Sequence, residues 1–223
     1  MRPDHRSAVA GQRREKMRAR LIEAALLVVA AKGLDAAMID DVAATAGVSR
    51  GSFYNHFFTL QELLLAANRE LADELVGFVL AEVAELEDPA EVVARGTLMF
   101  LQLAQAHPLL ARFAAGMGLA GLTQGSVADA VLPPVLARGM NAGRFAPMPL
   151  PEARDMMAAT LLACLARTAR GETVDFPAIT AALLRALGLP AEEAARLAAR
   201  PVRPPEIPPD SLVARTEAVR RAS

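Results

Sequence analysis

The chain has 223 residues, enough for one large or two small domains with a sizeable core, and its formal net charge of −1 excludes a bulk binder of polyanions. It is 53% hydrophobic but only 4% aromatic, without Trp; this Ala- and Leu-rich composition favours helices, and no convincing strand pattern is present. The single cysteine, Cys164, excludes an intrachain disulfide, and His5, His56 and His107 are too scattered to give metal-ligand spacing.

Charge is unevenly spread. Residues 1–60 hold nine Lys/Arg against six Asp/Glu, and the remainder holds fifteen against nineteen. A basic N-terminal part on an acidic body fits a DNA-facing end. The charged N-terminus lacks a signal-peptide run, and the longest apolar runs are too short to span a bilayer. A soluble, cytoplasmic protein is expected.

Met1–Gln12, with Pro3 and Gly11, is expected as a flexible arm. A first helix is predicted from Arg13 to Lys32, with Met17, Leu21, Ala25 and Val28 on one stripe and Gly33 as its C′ glycine. A second begins at Ile39, where Val42, Ala43 and Ala46 complete one apolar face. Met38 cannot cap it with its side chain, but Asp41 can reach back to a backbone N–H and Asp40 suits the positive helix end. Gly47 supplies the turn, and Ser49 is a good N-cap for a third helix whose Phe53 and Phe57 face inward. Arg50, Gly51, Ser52, Tyr54, Asn55 and His56 are left outside. Such a face is wrong for a core and right for DNA. Arg50 has the fork that reads guanine O6 and N7, Gly51 lets the backbone approach, and Ser52, Tyr54, Asn55 and His56 carry donors for bases or phosphates. Ser49 adds its own hydroxyl. This is the arithmetic of a helix-turn-helix whose second helix enters the major groove. Arg13, Arg14, Lys16, Arg18 and Arg20 are candidates to flank the duplex.

Thr59 caps a long fourth helix to about Leu86, with Leu60, Leu63, Leu64, Ala67, Leu71, Leu75 and Phe78 on its stripe. Helices over Ala90–Ala106 and Leu109–Met117 follow, divided at His107-Pro108. The Gly-rich stretch 116–125 reads as a loop or broken helix, and Pro133-Pro134 is expected to kink or split Val127–Met140. Asn141–Leu150 is a loop; Glu152–Arg170 and Phe176–Leu187 are strong helices, and a short one opens at Pro190 or Ala191. Five prolines make Pro201–Pro209 extended, and Ser211–Arg220 has the composition of a terminal helix.

The words AGVSRGSFYNHF resemble the recognition segment of the tetracycline-repressor (TetR) family of bacterial transcription factors, over about Arg13–Leu65. The chain departs from the family at Ala37 and Met38, where Ser or Thr is usual, at Phe58, usually Pro, and at Leu60, usually Lys. Those changes remove common phosphate contacts. The resemblance implies an all-α fold: a three-helix DNA-binding domain over residues 1–58, a helical effector-binding and dimerisation domain over 59–200, and a Pro-rich tail over 201–223. It implies a homodimer in which Glu152–Arg170 and Phe176–Leu187 pair with their copies as a four-helix bundle, with small residues such as Ala158, Ala159, Ala163 and Ala181 allowing close packing. One recognition helix covers few base pairs, so a dimer on a near-palindromic operator is expected.

The family's ligand cavity suggests as candidate contacts Met99, Phe100, Leu103, Phe113, Met117, Met156, Met157, Thr160, Leu161 and Cys164, with His107 and Arg167 as polar anchors. The expected cavity lies between helix 4, Ala90–Ala106 and Glu152–Arg170, is mostly apolar, and takes a hydrophobic or amphipathic effector. The expected function is therefore a ligand-responsive regulator, most often a repressor. A constitutive or architectural DNA-binding protein is the alternative, and a closed, unfilled core would favour it. An all-α enzyme would need a convergent catalytic cluster; no Ser-His-Asp grouping, phosphate loop or paired-carboxylate motif is present, and no cofactor is expected.

Overall fold

The computed structural model describes residues 5–118 and 127–222, and these described residues form eleven α-helices and no strand. They are α1 (His5–Lys32), α2 (Ile39–Ala46), α3 (Arg50–Tyr54), α4 (Leu60–Val83), α5 (Pro89–Ala106), α6 (Pro108–Met117), α7 (Val127–Asn141), α8 (Leu150–Ala169), α9 (Phe176–Ala186), α10 (Ala191–Ala198) and α11 (Leu212–Ala222). Two compact units result: residues 1–70 with 209–223, and residues 71–208. Helix α4 contributes residues to both.

The first unit is built on α1, whose face of Leu21, Ile22, Ala25, Leu26 and Val29 is buried. Val42, Ala43 and Ala46 from α2, Phe53 from α3, Phe57 beyond it, and Leu63, Leu64 and Ala67 from α4 complete the core. Apolar burial at helical spacing thus selects the arrangement. Helix α1 starts at His5, so the expected arm up to Gln12 is helical from that point on. Its lone glycine, Gly11, costs a helix only about 1 kcal/mol relative to alanine, and no proline follows Pro3 to stop it.

The C-terminal segment returns to this unit: α11 packs against α1. Ser211 caps it by accepting from the Ala214 N–H at 3.0 Å, Val213 and Thr216 are buried, and Arg215 Nε donates to Glu23 Oε1 at 2.8 Å. Deleting residues 209–223 is therefore expected to lower stability by about 2 kcal/mol or more, the worth of the Val213 burial alone. Hydrogen exchange should quicken in α1; unchanged exchange there would mean that α11 is only an attached tail.

In the second unit α5 packs against α6, α7, α8, α9 and α10. Its Ala90, Val93 and Ala94 join Leu136, Phe145, Ala153, Met157, Leu183, Leu184 and Leu197 in one core. Gly139 makes the α7 contribution possible: a Cβ there would lie 2.0 Å from the Phe145 ring. Of the kink or split expected at Pro133 and Pro134, the split does not occur: helix α7 runs through both. Each proline removes one N–H donor but keeps a helical φ, and Leu136 anchors the following turn in the core at 0% exposure. Helix α6 runs through Gly116 and ends at Gly118; the rest of the stretch read as a loop or broken helix, 119–125, lies outside the described residues.

A clasp closes one end of this unit. Arg144 donates to both Asp88 oxygens (Nε at 3.0 Å, Nη2 at 2.9 Å) and to both Glu193 oxygens (3.1 and 2.8 Å). Asp88 also caps α5 by accepting from the Ala90 N–H at 2.9 Å. The Arg144 guanidinium, aided by that cap, holds the Asp88 carboxyl below its usual value against the opposing effect of burial. A depressed folded-state value means stability that is present above the unfolded carboxylate range and lost as pH falls through the folded value. Asp88→Ala is expected to cost about 1–2 kcal/mol at pH 7, a figure kept small because the pair is partly solvated. The cost should shrink at pH 3 in urea titrations, and Asp88→Asn, which keeps an acceptor for the cap, should lose less.

Candidate functional site

The helix-turn-helix is set by local chemistry. Gly47 ends α2 in the left-handed conformation (φ 61°, ψ 41°), its N–H returning to Ala43 and Ala44 carbonyls. Val48, half-buried, donates to Ala43 O at 2.9 Å. Ser49 is extended, and its Oγ accepts from the Ser52 N–H at 3.2 Å, starting α3. Phe53 and Phe57, 0% and 1% exposed, pin α3 and the turn after it. Met38 gives α2 no side-chain cap. Asp41 binds the Lys32 ammonium at 2.6 Å and not a backbone N–H, because α1 ends beside it. Thr59 caps α4 by accepting from the Glu62 N–H at 3.0 Å, while the Glu62 carboxylate accepts from Phe58 N–H at 2.7 Å.

Packing of Phe53 and Phe57 leaves Ser49, Arg50, Gly51, Tyr54 and Asn55 exposed, with Ser52 and His56 half-buried. All seven residues named from sequence thus share one short segment. Arg50 is held in a way its sequence does not announce: its Nη1 donates to both Asp40 oxygens, at 3.2 and 3.3 Å, and its guanidinium lies 6.0 Å from the Tyr54 ring centre. A hydrogen bond with the Tyr54 side chain, and then the Asp40 charge, raise the Arg50 pKa above its ordinary value, so both neighbours help hold the fork that a guanine edge would meet. Tyr54 meets Phe53 edge-on at 5.4 Å, which orients its ring. His56 titrates below its ordinary value, through burial and then the charges of Arg14 and Arg18. Among the basic residues of α1, Arg18 lies over the Phe57 ring at 5.2 Å and reaches Glu70 at 3.8 Å. Phe58 and Met38 are exposed, at 83% and 66%.

The second unit contains a cavity of about 160 Å³. Its wall is Val76, Val79, Leu80 and Val83 of α4; Val92, Val93, Gly96, Thr97 and Phe100 of α5; Val131, Leu132 and Val135 of α7; and Met157 and Leu161 of α8. The three helices expected from sequence take part, joined by α7. The wall is rich in Val where Met and Phe were expected. Of the twelve candidate ligand contacts, Phe100, Met157 and Leu161 lie on it and nine do not. Met99, Leu103 and Phe113 are spent in packing at 1%, 2% and 0% exposure. Met156 packs against the α5–α9 core, and Cys164 sits with Leu98, Leu101, Val174 and Phe176, where burial raises its thiol's pKa. Thr160 donates to Met156 O at 2.8 Å. Met117 is half-buried near the end of α6, and His107 forms the α5–α6 junction, its N–H bonded to Leu103 O at 2.8 Å. Arg167 is outside, paired with Glu172 at 3.0 Å and Thr173 O at 3.2 Å, because α8 has turned that face to water. The missed positions carry a signal in the sequence: Val76, Val79 and Val83 form a second stripe on α4, and Val92, Gly96 and Phe100 form one on α5.

No helix among the described residues is long and apolar enough to cross a membrane, and no group of three or more His, Cys, Asp or Glu among them could hold a metal ion. An exposed polar recognition segment and a separate helical unit with an internal cavity define a helix-turn-helix transcription regulator. Two family models agree: "Bacterial regulatory proteins, tetR family" matches residues 21–67, and "Tetracyclin repressor-like, C-terminal domain" matches residues 88–200. The chain belongs to the TetR family of DNA-binding transcription regulators. It is 38% identical to the HTH-type transcriptional regulator CymR of Pseudomonas putida over 82 residues, 37% of this chain and only 40% of that protein's length. Its structure is similar to that of RolR in complex with resorcinol, at 28% identity over 88% of this chain and 100% of that one, with a TM-score of 0.74. FadR of Bacillus subtilis in complex with stearoyl-CoA shares the fold, at 19% identity, 76% and 96% coverage and a TM-score of 0.54.

Proposed function

We propose that this regulator is a cytoplasmic homodimer that represses transcription from a near-palindromic operator and is released by a small, mostly apolar effector. The observation that carries the reading is the cavity in the second unit, walled in part by Val76, Val79 and Val83 of α4. The same unbroken helix supplies residues 60–70 to the unit that holds the recognition segment. An effector that binds more tightly when α4 is displaced therefore disfavours the DNA-competent arrangement by that difference in affinity, and no more. RolR, whose ligand is resorcinol, supports a small effector in this fold.

In the proposed operator complex Arg50 reads guanine, and Ser49, Gly51, Ser52, Tyr54, Asn55 and His56 meet base edges or phosphates. In the proposed division of labour residues 1–58 bind DNA, residues 59–200 bind the effector and dimerise, and 201–223 form a Pro-rich tail; the two compact units, 1–70 with 209–223 and 71–208, support a division of this kind. Dimerisation is supported by α8. One side of it is buried through Ala153, Met157, Cys164 and Leu165, yet no charged residue falls between 156 and 166, and Ala159 and Ala163 on the other side are exposed. A helix apolar all round needs a second partner.

Selection from a random DNA library tests the reading. The expected product is an inverted repeat whose half-sites are about one helical turn apart. Recovery of sequences with no shared half-site would reject a specific operator.

A further inference from the structure

We infer that the effector is a neutral molecule with a single aromatic ring, carrying at most one hydroxyl. The inference rests on the reading that the cavity holds the effector, and it specifies the ligand's class.

Size sets the first limit. The cavity measures about 160 Å³. An engineered apolar cavity of roughly 150 Å³ stays dry and binds benzene. One ring with a short substituent fits this space, whereas a long acyl chain would have to extend out through its open side. The walls reinforce the limit. Seven of the fourteen lining residues are valine. A valine side chain has essentially one free torsion and a strongly preferred rotamer, so it yields less than Met would. Gly96, whose missing side chain leaves room beside Val79, and the Phe100 ring suit a flat partner.

Chemistry sets the second limit. Among the described residues, no lining residue is charged. A carboxylate would lose its hydration in this space without gaining a cation. Thr97, 6% exposed, is the one lining residue among those described with a side-chain hydroxyl or amide. It can serve one hydroxyl of a phenol; a second hydroxyl on the ring finds no side-chain partner. A hydrocarbon is also accommodated, because a helical Thr can turn its hydroxyl to the carbonyl four residues back.

Titration calorimetry on the full-length protein, with toluene, phenol, resorcinol, benzoate and dodecanoate as probes, tests this. Toluene and phenol are expected to bind one per chain, with resorcinol, benzoate and dodecanoate at least tenfold weaker. Thr97→Val should weaken phenol about tenfold and leave toluene unchanged. Gly96→Leu fills the space from α5, and Val131→Phe fills it independently from α7; each should abolish binding. Benzoate or dodecanoate binding more tightly than toluene, and lost in both filled variants, overturns the ligand class and keeps the cavity as the effector site. Binding of none of the five probes likewise overturns the class. Binding of any probe that survives both filled variants unchanged overturns the cavity reading itself.

Discussion

Ala163→Glu is expected to convert the dimer to monomers at micromolar concentration and to weaken operator binding by about 10²–10⁴-fold. Ala163 and Ala159 are exposed in the protomer, so a glutamate at either costs the isolated fold little. In a close helix contact the same carboxylate is buried without a partner, which costs about 3–5 kcal/mol. Two linked recognition segments bind as one, and separating them removes the effective-concentration advantage of the second half-site. Light scattering reads the first effect and fluorescence anisotropy the second. If both Ala159→Glu and Ala163→Glu stay dimeric, α8 is not the interface.

Arg50→Ala is expected to cost about 1–3 kcal/mol per half-site and to relax the preference for guanine at one position in each. The side chain is exposed, 59% on its own scale, so the loss falls on binding and not on folding. Tyr54→Phe should weaken all sequences alike, since a phenolic hydroxyl on phosphate carries no base information. Comparisons must be made at one salt concentration, because phosphate contacts make affinity salt-dependent. Unchanged affinity in both variants would remove α3 from the DNA contact.

The DNA-binding segment was legible because its determinants are local. Gly47 ends a helix and Ser49 and Thr59 start helices through neighbours within four residues, and the four-residue spacing of Phe53 and Phe57 puts both on one face. What escaped the sequence depends on distant partners. Asp40 reads as a favourable charge on a helix end, yet it holds Arg50 ten residues away. Arg144 lies in a segment read as loop, and its meaning comes from Asp88 and Glu193, 56 and 49 residues off. The last helix was expected, but its packing on α1 was not, since nothing in its composition names that partner. At the cavity, the three helices named from sequence take part in the wall, while nine of the twelve side chains named there lie elsewhere. Met and Phe, chosen for adaptability, went largely to core packing, and the plainer valine stripes line the space.

The most direct test of the account is an anisotropy titration of this chain, in the dimeric form proposed for it, on its selected operator, without and with a saturating one-ring effector such as phenol. The account predicts tight, sequence-specific binding that weakens at least tenfold when the effector is present, and a Gly96→Leu variant that holds the operator equally well in both conditions. Equal affinity for the selected and a scrambled duplex, or release by phenol that persists in Gly96→Leu, would contradict it.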